Sequence, residues 1–336
     1  MIGAMMRKSR CLKIFSLLMA ITALAAGTVL AQPTVANYPA RPVTIISPYV
    51  PGSSTQLDGR VWADKLQEIF GKPFLIDFKP GAGTTLGNNY VAKASPDGYT
   101  LLIVTGAYTI SAATYKDLPY DPIRDLAPVS LNTKRPTMLV VNPGLPVNTL
   151  VDYIAYAKAR PEALNLGTTG VGGQYHLLGA WLHSLTNTKA TFVHYKGAGP
   201  VFVDLVAGRI DVSMANFNIG LPYVKSGKLR PIAILSSDQS PLLPGIKTAD
   251  EQGAPGYEWS AWGGILAPAR VPPPIINKLS VEFAKIAKMP DVIARFANDG
   301  TVLVGSTPEE FRKLIVTEIS RWKQLVKDHD IKADEE

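Results

Sequence analysis

The sequence predicts an α/β fold of two lobes that are joined by two crossing strands around a cleft. Three observations lead to this prediction. Short apolar runs alternate with segments of helical spacing, which is the pattern of a parallel sheet covered by helices. The pattern begins at Val43 and begins again after residue 136, which indicates two units. Loops of small residues follow several predicted strands, at the points where the next helices begin.

The first unit is predicted to have a β-α-β-α-β order. Its strands are residues 43–46, 74–78 and 99–105, which are apolar runs of strand length. Between them, residues 57–70 place apolar side chains at helical spacing, and Gly71-Lys72-Pro73 ends this helix. A second helix is expected over residues 85–94.

The second unit repeats this rhythm after a loop rich in proline and aspartate at residues 118–128. Two extended segments, 129–132 and 137–141, are predicted on either side of Lys134-Arg135-Pro136. The strands and helices that follow are predicted at residues 149–160 (helix), 165–169 (strand), 174–185 (helix), 191–195 (strand), 201–207 (helix), 210–215 (strand) and 229–235 (strand).

The last part of the chain is predicted to return to the first lobe. Residues 257–268 are extended, and helices follow at 272–287, at 291–298 and from Thr307 to about His329. Thr307 with Glu310 three residues later forms a capping box, and Pro308 suits the first turn. Crossings near 130–136 and 257–264 would form a hinge. The predicted domains are therefore 38–134 with 258–336, and 135–257.

The N-terminus has the three parts of a secretory signal peptide. A basic segment that ends at Lys13 precedes an apolar segment that runs to about Leu30, and cleavage is expected after Ala31. Residues 1–31 are thus predicted to direct export to the periplasm. A membrane anchor is the alternative, but the apolar run is shorter than the ~20 residues that span a membrane.

Charge and residue types exclude several kinds of function. The formal net charge of +7 falls to +3 when the four basic leader residues are removed from the 34 Lys and Arg residues, so nucleic acid is not an expected partner. The single cysteine, Cys11, lies in the leader, so no disulfide or thiolate metal site is expected. Four scattered histidines do not form a metal set, and no Gly-x-Ser-x-Gly motif is present. We expect no cofactor, no metal and no enzymatic activity.

Two loops of small residues are the best candidates for a binding site. They are PYVPGSST at residues 48–55 and KPGAGTTLG at residues 79–87, and each lies between a strand and a helix. The first N–H groups of a helix lack partners within the helix, and its dipole favours negative charge there. The loops therefore favour an anion. Ordinary βα turns remain the alternative, and neither loop has the Gly-Lys-Ser/Thr ending of a P-loop.

These segments and others resemble the Bug-type solute-binding proteins of tripartite tricarboxylate transporters, over nearly all of the mature chain. The resemblance implies a periplasmic-binding-protein-like fold of type II. Besides the two loops, the motifs that carry it are YP-RP at 38–42, SPDGYT at 95–100, LPYDP at 118–122, GVGGQYH at 170–176, YKG at 195–197, AGRID at 207–211, SPLLP at 240–244, LAPA at 266–269 and GSTPEEF at 305–311.

The resemblance implies capture of a small carboxylate and its delivery to the membrane subunits of the transporter. It implies a monomer that holds the carboxylate largely through backbone N–H groups. In the first lobe it implies the ligand-binding residues Tyr49, Gly52, Ser53, Ser54, Thr55, Gly83 and Thr84. In the second lobe it implies Thr169, Gly170, Gly173, Gln174, Tyr195, Ala198, Gly199 and Asn216. A binding protein that feeds a signalling system rather than uptake is the alternative function.

Two departures from the family pattern bear on the ligand. Gln56 stands where the first loop of the family has aspartate, which favours plain acids over ligands with a cationic group. Thr84 stands where the family has glycine, so it either donates a hydrogen bond or narrows the pocket. Loops that favour an anion are predicted on both lobes, and this arrangement suits a dicarboxylate, either aliphatic or aromatic.

Several other residues allow two interpretations. His176 is either a ligand-facing donor or a capping and packing residue at its helix start. Trp259 and Trp262 are expected to pack at the hinge, with contact to an aromatic ligand as the alternative. Asp204 and Asp211 are an acid pair only if a helix and the next strand bring them together, and a solvated face is the simpler interpretation.

Overall fold

The computed structural model describes residues 37–51, 53–161, 163–297 and 300–331, with the side chain of Ser54 outside the description. The predicted signal peptide therefore lies outside the described residues. Among the described helices, none is long and apolar enough to cross a membrane. The described chain confirms the α/β class, because helices cover a mixed sheet of ten strands.

The strands lie close to the predicted positions. In chain order they are β1 (Val43–Ser47), β2 (Phe74–Phe78), β3 (Thr100–Thr105), β4 (Leu126–Val141), β5 (Asn165–Thr168), β6 (Thr191–His194), β7 (Val212–Asn216), β8 (Arg230–Ile234), β9 (Ser260–Pro268) and β10 (Val302–Leu303).

The helices alternate with the strands in the first two thirds of the chain, and three of them lie at its end, where the short strand β10 separates the last two. They are α1 (Ser54–Phe70), α2 (Thr85–Ala92), α3 (Ala107–Thr114), α4 (Leu150–Ala159), α5 (Gln174–Thr186), α6 (Ala198–Val206), α7 (Phe217–Lys225), α8 (Pro273–Ile286), α9 (Pro290–Phe296) and α10 (Pro308–Asp328).

The sheet has a parallel half in each lobe, joined by two long antiparallel strands. The order is β2-β1-β3-β9-β4-β7-β5-β6, with β8 and β10 also paired to β4. Strands β1, β2 and β3 are parallel to one another, and so are β5, β6 and β7. The carboxyl ends of parallel strands are where ligands of α/β proteins bind. The predicted crossing strands are β4 and β9.

The predicted break at Lys134-Arg135-Pro136 is wrong, because β4 continues through it as one strand of 16 residues. Its first part pairs with β9 as far as Pro136, and its last five residues, from Thr137, pair with β7. Extended backbone suits the fixed φ of proline. Lys134 is exposed and Arg135 is half-buried. The polar residues therefore mark the passage between the lobes rather than a turn.

Helices α3 and α7 have no counterpart in the sequence prediction. The α3 segment, AYTISAAT, is only eight residues long and contains two threonines, a serine and an isoleucine of lower helix propensity beside its three alanines, and its N-cap Gly106 makes no side-chain cap. The α7 segment contains Gly220 and Pro222. Six of the eight α3 residues are buried and the helix packs on α10. Tertiary packing therefore stabilises helices that local sequence does not favour.

The last helix connects the two lobes. Its capping box is confirmed, because the Thr307 hydroxyl accepts from the Glu310 N–H and the Glu310 carboxylate accepts from the Thr307 N–H. Its N-terminal half packs in the first lobe, where Phe311 contacts Trp262. Its C-terminal half joins the core of the second lobe, where the Trp322 ring lies 6.0 Å from that of Trp181.

Candidate functional site

The first candidate loop connects β1 to α1 and is fixed at both ends. The Tyr49 hydroxyl lies 2.7 Å from the Thr105 hydroxyl at the end of β3. Burial raises the pKa of Tyr49 to about 12, so its phenol is neutral. Ser53 is the N-cap of α1, and its Oγ accepts from the Gln56 N–H. Gly52 lies outside the described residues, and Ser54 begins α1.

The second candidate loop has an unusual backbone. Four consecutive residues, Gly81 to Thr84, have positive φ angles of 132°, 45°, 55° and 81°. A Cβ at Gly83 would lie 2.4 Å from the Tyr115 hydroxyl, so the Tyr115 ring would have to shift, and the positive φ also favours glycine there. The Gly83 carbonyl accepts from the Ser111 hydroxyl at 2.9 Å. The turn is therefore tightly packed, and it presents the start of α2.

Buried hydrogen bonds hold Thr84 in its left-handed conformation. The Asn88 Nδ2 donates to Thr84 Oγ1 at 3.2 Å and to the Tyr120 hydroxyl at 2.9 Å. A β-branched residue rarely adopts this conformation. The two candidate loops also contact each other, because a Cβ at Gly87 would lie 2.8 Å from Pro48. The first lobe thus presents both loops as one surface.

Ala82 gives a direct test of strain in this turn. Replacing Ala82 by Gly is expected to raise the free energy of unfolding by about 1 kcal/mol, because the left-handed conformation costs an L-residue that much. Chemical denaturation would measure the change. Ala155→Gly on the exposed face of α4 is the matched control, and it should lower stability by about 1 kcal/mol. A loss of stability in both variants would contradict strain at Ala82.

The second lobe presents the turn before α5. Gly170 has a φ of 111°, and its carbonyl accepts from the Gly173 N–H at 3.1 Å. A Cβ at Gly173 would lie 3.0 Å from the Thr169 carbonyl oxygen. His176 Nδ1 accepts from the Gly172 N–H at 3.0 Å. The His176 ring therefore packs inside the second lobe, with its centroid 4.7 Å from that of Phe192, and burial lowers its pKa to about 4, so it is neutral near pH 7.

The turn between β6 and α6 lies next to it in the same lobe. Ala198 and Gly199 are the first residues of α6, whose N-cap is Gly197. The Tyr195 hydroxyl donates to Asp204 at 2.8 Å, and Arg209 donates to the same carboxylate. Asp204 is thus an ion-pair residue of α6. In this structure Tyr195 directs its hydroxyl along the surface of its own lobe.

Helices α2, α5 and α6 begin at these turns without a capping side chain. Their N-caps are Thr84, Gly173 and Gly197, and none of the three makes a side-chain cap. By contrast, α4 and α10 begin with full capping boxes. The first N–H groups of a helix need an acceptor from outside. At these three starts no capping side chain competes with an anion for the first N–H groups, and such groups favour an anion.

A cavity of about 190 Å³ lies between the two lobes, over the crossing strands. Three of the predicted binding residues line it, namely Thr55 from α1, Gln174 from α5 and Asn216 from the end of β7. Gln174 Nε2 donates to Asn216 Oδ1 at 3.2 Å, and so does the Thr137 hydroxyl at 2.9 Å. The other predicted and described residues lie on the surrounding turns rather than on the wall of this cavity.

The sequence analysis missed the polar residues that form the floor of the cavity. Asp58 and Arg135 form an ion pair across it, with 3.3 Å between the carboxylate and the guanidinium. Arg135 Nε also donates to the Thr301 hydroxyl. Asn132 and Thr133 of β4 and Asn218 of α7 complete the polar wall. The available signal was the polar run from Asn132 to Arg135 inside an otherwise apolar strand.

The two tryptophans of the second crossing meet a buried carboxyl group. The indole N–H groups of Trp259 and Trp262 donate to Glu318 of α10 at 3.2 and 3.0 Å, and Thr109 also contacts this carboxyl group. Both rings are thus buried and hydrogen-bonded at the second crossing. The Trp262 residue also lines the cavity. Within the described ranges, no cluster of three or more His, Cys, Asp or Glu residues could hold a metal ion.

Comparison with known proteins matches this geometry to one family. Residues 59–331 match the family model of the tripartite tricarboxylate transporter family receptor. The chain is 36% identical to protein BugT of Bordetella pertussis, with 87% of this chain and 90% of BugT covered.

Two solved structures show the same fold with ligands. One is R. palustris Rpa4515 with adipate, at 31% identity and a TM-score of 0.73, covering 88% of this chain and 99% of that chain. The other is MatC (Rpa3494) from Rhodopseudomonas palustris with bound malate, at 30% identity and a TM-score of 0.70, covering 86% of this chain and 100% of that chain.

The fold has two α/β lobes joined by two crossing strands, with a cleft between the lobes and helix starts that lack a capping side chain. These features define a two-lobed solute-binding protein. The solved periplasmic binding protein BugD has this fold as well, at 27% identity and a TM-score of 0.70, covering 88% of this chain and 99% of that chain. The chain belongs to the tripartite tricarboxylate transporter receptor family, and within it to the Bug-type periplasmic solute-binding proteins. This is a family of solute-binding proteins rather than of enzymes.

Proposed function

We propose that this protein captures a small carboxylate in the periplasm and delivers it to a membrane transporter of the tripartite tricarboxylate type. The observation that carries the proposal is the set of helix starts without a capping side chain, which come from both lobes, and one of them, the start of α5, lines the cavity through Gln174. Adipate and malate in two similar structures support a carboxylate ligand. The signal-peptide pattern of residues 1–31 supports export.

The arrangement of donors favours a dicarboxylate. One carboxylate would accept from the loops of the first lobe, near Ser53 and the start of α2. The other would accept from the starts of α5 and α6, near Gly173 and Gly199. Each end gains from unpaired N–H groups and from the positive end of a helix dipole. A monocarboxylate would leave one set of donors without its anion.

The crossing strands provide the hinge of the proposed mechanism. The ligand binds one lobe first, and residues near 130–136 and 257–264 then flex so that the second lobe closes on its other end. The proposed lobes are 38–134 with 258–336, and 135–257, and the protein acts as a monomer. The closed form is the form that the membrane subunits of the transporter recognise.

A thermal-shift screen of residues 32–336 tests the proposed ligand class. The screen would compare aliphatic and aromatic mono-, di- and tricarboxylates, with the neutral diamide of each diacid as its matched control. A ligand that binds only the folded state raises the melting temperature, by several degrees when it is well above its Kd. We expect a diacid to raise the melting temperature and its diamide to leave it unchanged. If no acid raises it and mass spectrometry finds no acid released on denaturation, the proposal is wrong.

A further inference from the structure

We propose that the cavity between the lobes is a subsite for a hydroxyl group on the carbon chain of the ligand. This inference rests on the proposed function and makes it more specific, because it names a hydroxylated carboxylate as the preferred solute. The cavity adjoins two of the proposed anion-binding helix starts, through Thr55 of α1 and Gln174 of α5, and the rest of its wall comes from other elements. It would therefore contact the part of the ligand that connects its charged ends.

Three buried polar groups in the wall of the cavity carry the inference. They are Trp62 Nε1 of α1, Asn132 Oδ1 of β4 and Asn218 Oδ1 of α7. Throughout the part of the chain that the structure describes, none of the three atoms has a hydrogen-bond partner. The Trp62 and Asn132 side chains are each only 2% exposed. Buried polar groups are nearly always hydrogen-bonded, so these three atoms are the places in the wall where a bound water or a polar group of the ligand would be held.

The chemistry of these groups selects a hydroxyl. The indole N–H only donates, whereas a primary amide presents either an acceptor oxygen or a donor NH₂ when it turns. A hydroxyl both donates and accepts, so it can bond the amides and the indole together. Leaving a buried donor or acceptor unpaired costs about 1–3 kcal/mol, and filling it recovers part of that cost.

The electrostatics of the cavity disfavour a charged group at this point. Its two charged side chains, Asp58 and Arg135, already pair with each other. A carboxylate placed there would have to compete with Asp58 for the guanidinium, and an ammonium group would have to compete with Arg135 for the carboxylate. Burying a charge without its own partner is costly. A neutral polar group meets no such cost.

The size and position of the cavity agree with a substituent on a short chain. A volume of about 190 Å³ holds about six molecules the size of water, each of which occupies about 30 Å³. This is room for a hydroxyl and a few carbon atoms. Thr55 lines one side and Gln174 the other, and these residues begin the helices that follow the proposed anion loops. A chain that connects two bound carboxylates would therefore pass over Asn132.

Isothermal titration calorimetry on residues 32–336 with matched acid pairs tests the subsite. The pairs are succinate with malate, and glutarate with 3-hydroxyglutarate. In the wild-type protein we expect the hydroxylated member of at least one pair to bind about tenfold more tightly than its parent acid. In Asn132→Leu, which removes the amide at similar size, the preference should disappear while the affinity for the parent acid stays within about threefold.

Two further variants make the outcome decisive. Asn218→Leu should also reduce the preference, and it serves as the test if Asn132→Leu does not fold. Asn148→Leu on the exposed surface of the second lobe is the control and should retain the preference. Equal binding of hydroxylated and parent acids by the wild-type protein, or a full preference in both cavity variants, would overturn the subsite alone. If none of the four acids binds, the proposed capture of such diacids fails, and the subsite fails with it.

Discussion

Gly173→Asp is expected to weaken carboxylate binding by about 100-fold or more and to leave the protein folded. Gly173 is the N-cap of α5 and has the extended backbone of an N-cap, with φ −71° and ψ 167°. Aspartate is among the best N-cap residues. Its carboxylate would accept from the N–H groups at the helix start and would place negative charge where the ligand anion is proposed to bind.

The Gly173→Asn variant separates the effect of the added negative charge from the effect of the added side-chain volume. Asparagine caps a helix about as well as aspartate and has nearly the same size, but it has no charge. The Cβ of asparagine, like that of aspartate, should lie about 3 Å from the carbonyl oxygens of Thr169 and Gly170. We expect a loss of affinity of about tenfold or less for Asn, and melting temperatures of both variants close to wild type. Calorimetry and thermal unfolding measure the two quantities. Wild-type affinity in the Asp variant would show that the start of α5 does not bind the anion.

The sequence predicted the parallel parts of the fold well, because their signals are local. Apolar runs of five or six residues and clear ends such as Gly71-Lys72-Pro73 place β1, β3 and α1 to within a few residues. The capping box at Thr307 places the start of α10 correctly. By contrast, α3 and α7 depend on burial against α10 and β4, which local propensity does not report.

The candidate site also has parts that the sequence predicts and parts that it does not. The turns at Gly83 and Gly173 follow strands and precede helices, so small residues in the sequence indicate them. The cavity residues Trp62, Asn132 and Asn218 come from the middle or the early turns of three separate elements. Only the pairing of β4 with β9 and β7 brings them together. Such a juxtaposition has no spacing that a sequence pattern could show.

Glu318 is the residue at which we expect the largest effect on stability. Its carboxyl group is 3% exposed and meets two indole N–H groups from the second crossing. In Glu318→Leu both indole donors lose their acceptor at nearly constant volume. An unpaired buried donor costs about 1–3 kcal/mol, so the free energy of unfolding should fall by about 2–6 kcal/mol. Urea denaturation at neutral pH measures this loss, and a change below about 1 kcal/mol would contradict it.

The hydrogen bonds around Glu318 accommodate its protonated form. The Thr109 hydroxyl lies 2.9 Å from the Gly106 carbonyl oxygen and 2.7 Å from Glu318 Oε2. Thr109 has one hydroxyl hydrogen, and the carbonyl can only accept it. A protonated Glu318 resolves the geometry, because its O–H then donates to Thr109. Burial also raises the pKa of Glu318 and outweighs the hydrogen bonds that Thr109 and Trp262 would donate to its ionised form.

Glu318→Gln should therefore match the protonated acid and remove its pH dependence. An acid whose pKa is raised in the folded state stabilises the fold fully below its unfolded pKa of about 4.5, and this stability is lost as pH rises through the folded pKa. The Gln NH₂ can donate to Thr109 while its oxygen accepts from both indoles. We expect the free energy of unfolding of the Glu318→Gln variant to be at least that of the wild-type protein at pH 8. At pH 5 the difference in favour of the variant should be smaller. Urea denaturation at both values measures it, and a Gln variant that is equally destabilised at both would show that Glu318 is ionised and bound as a carboxylate.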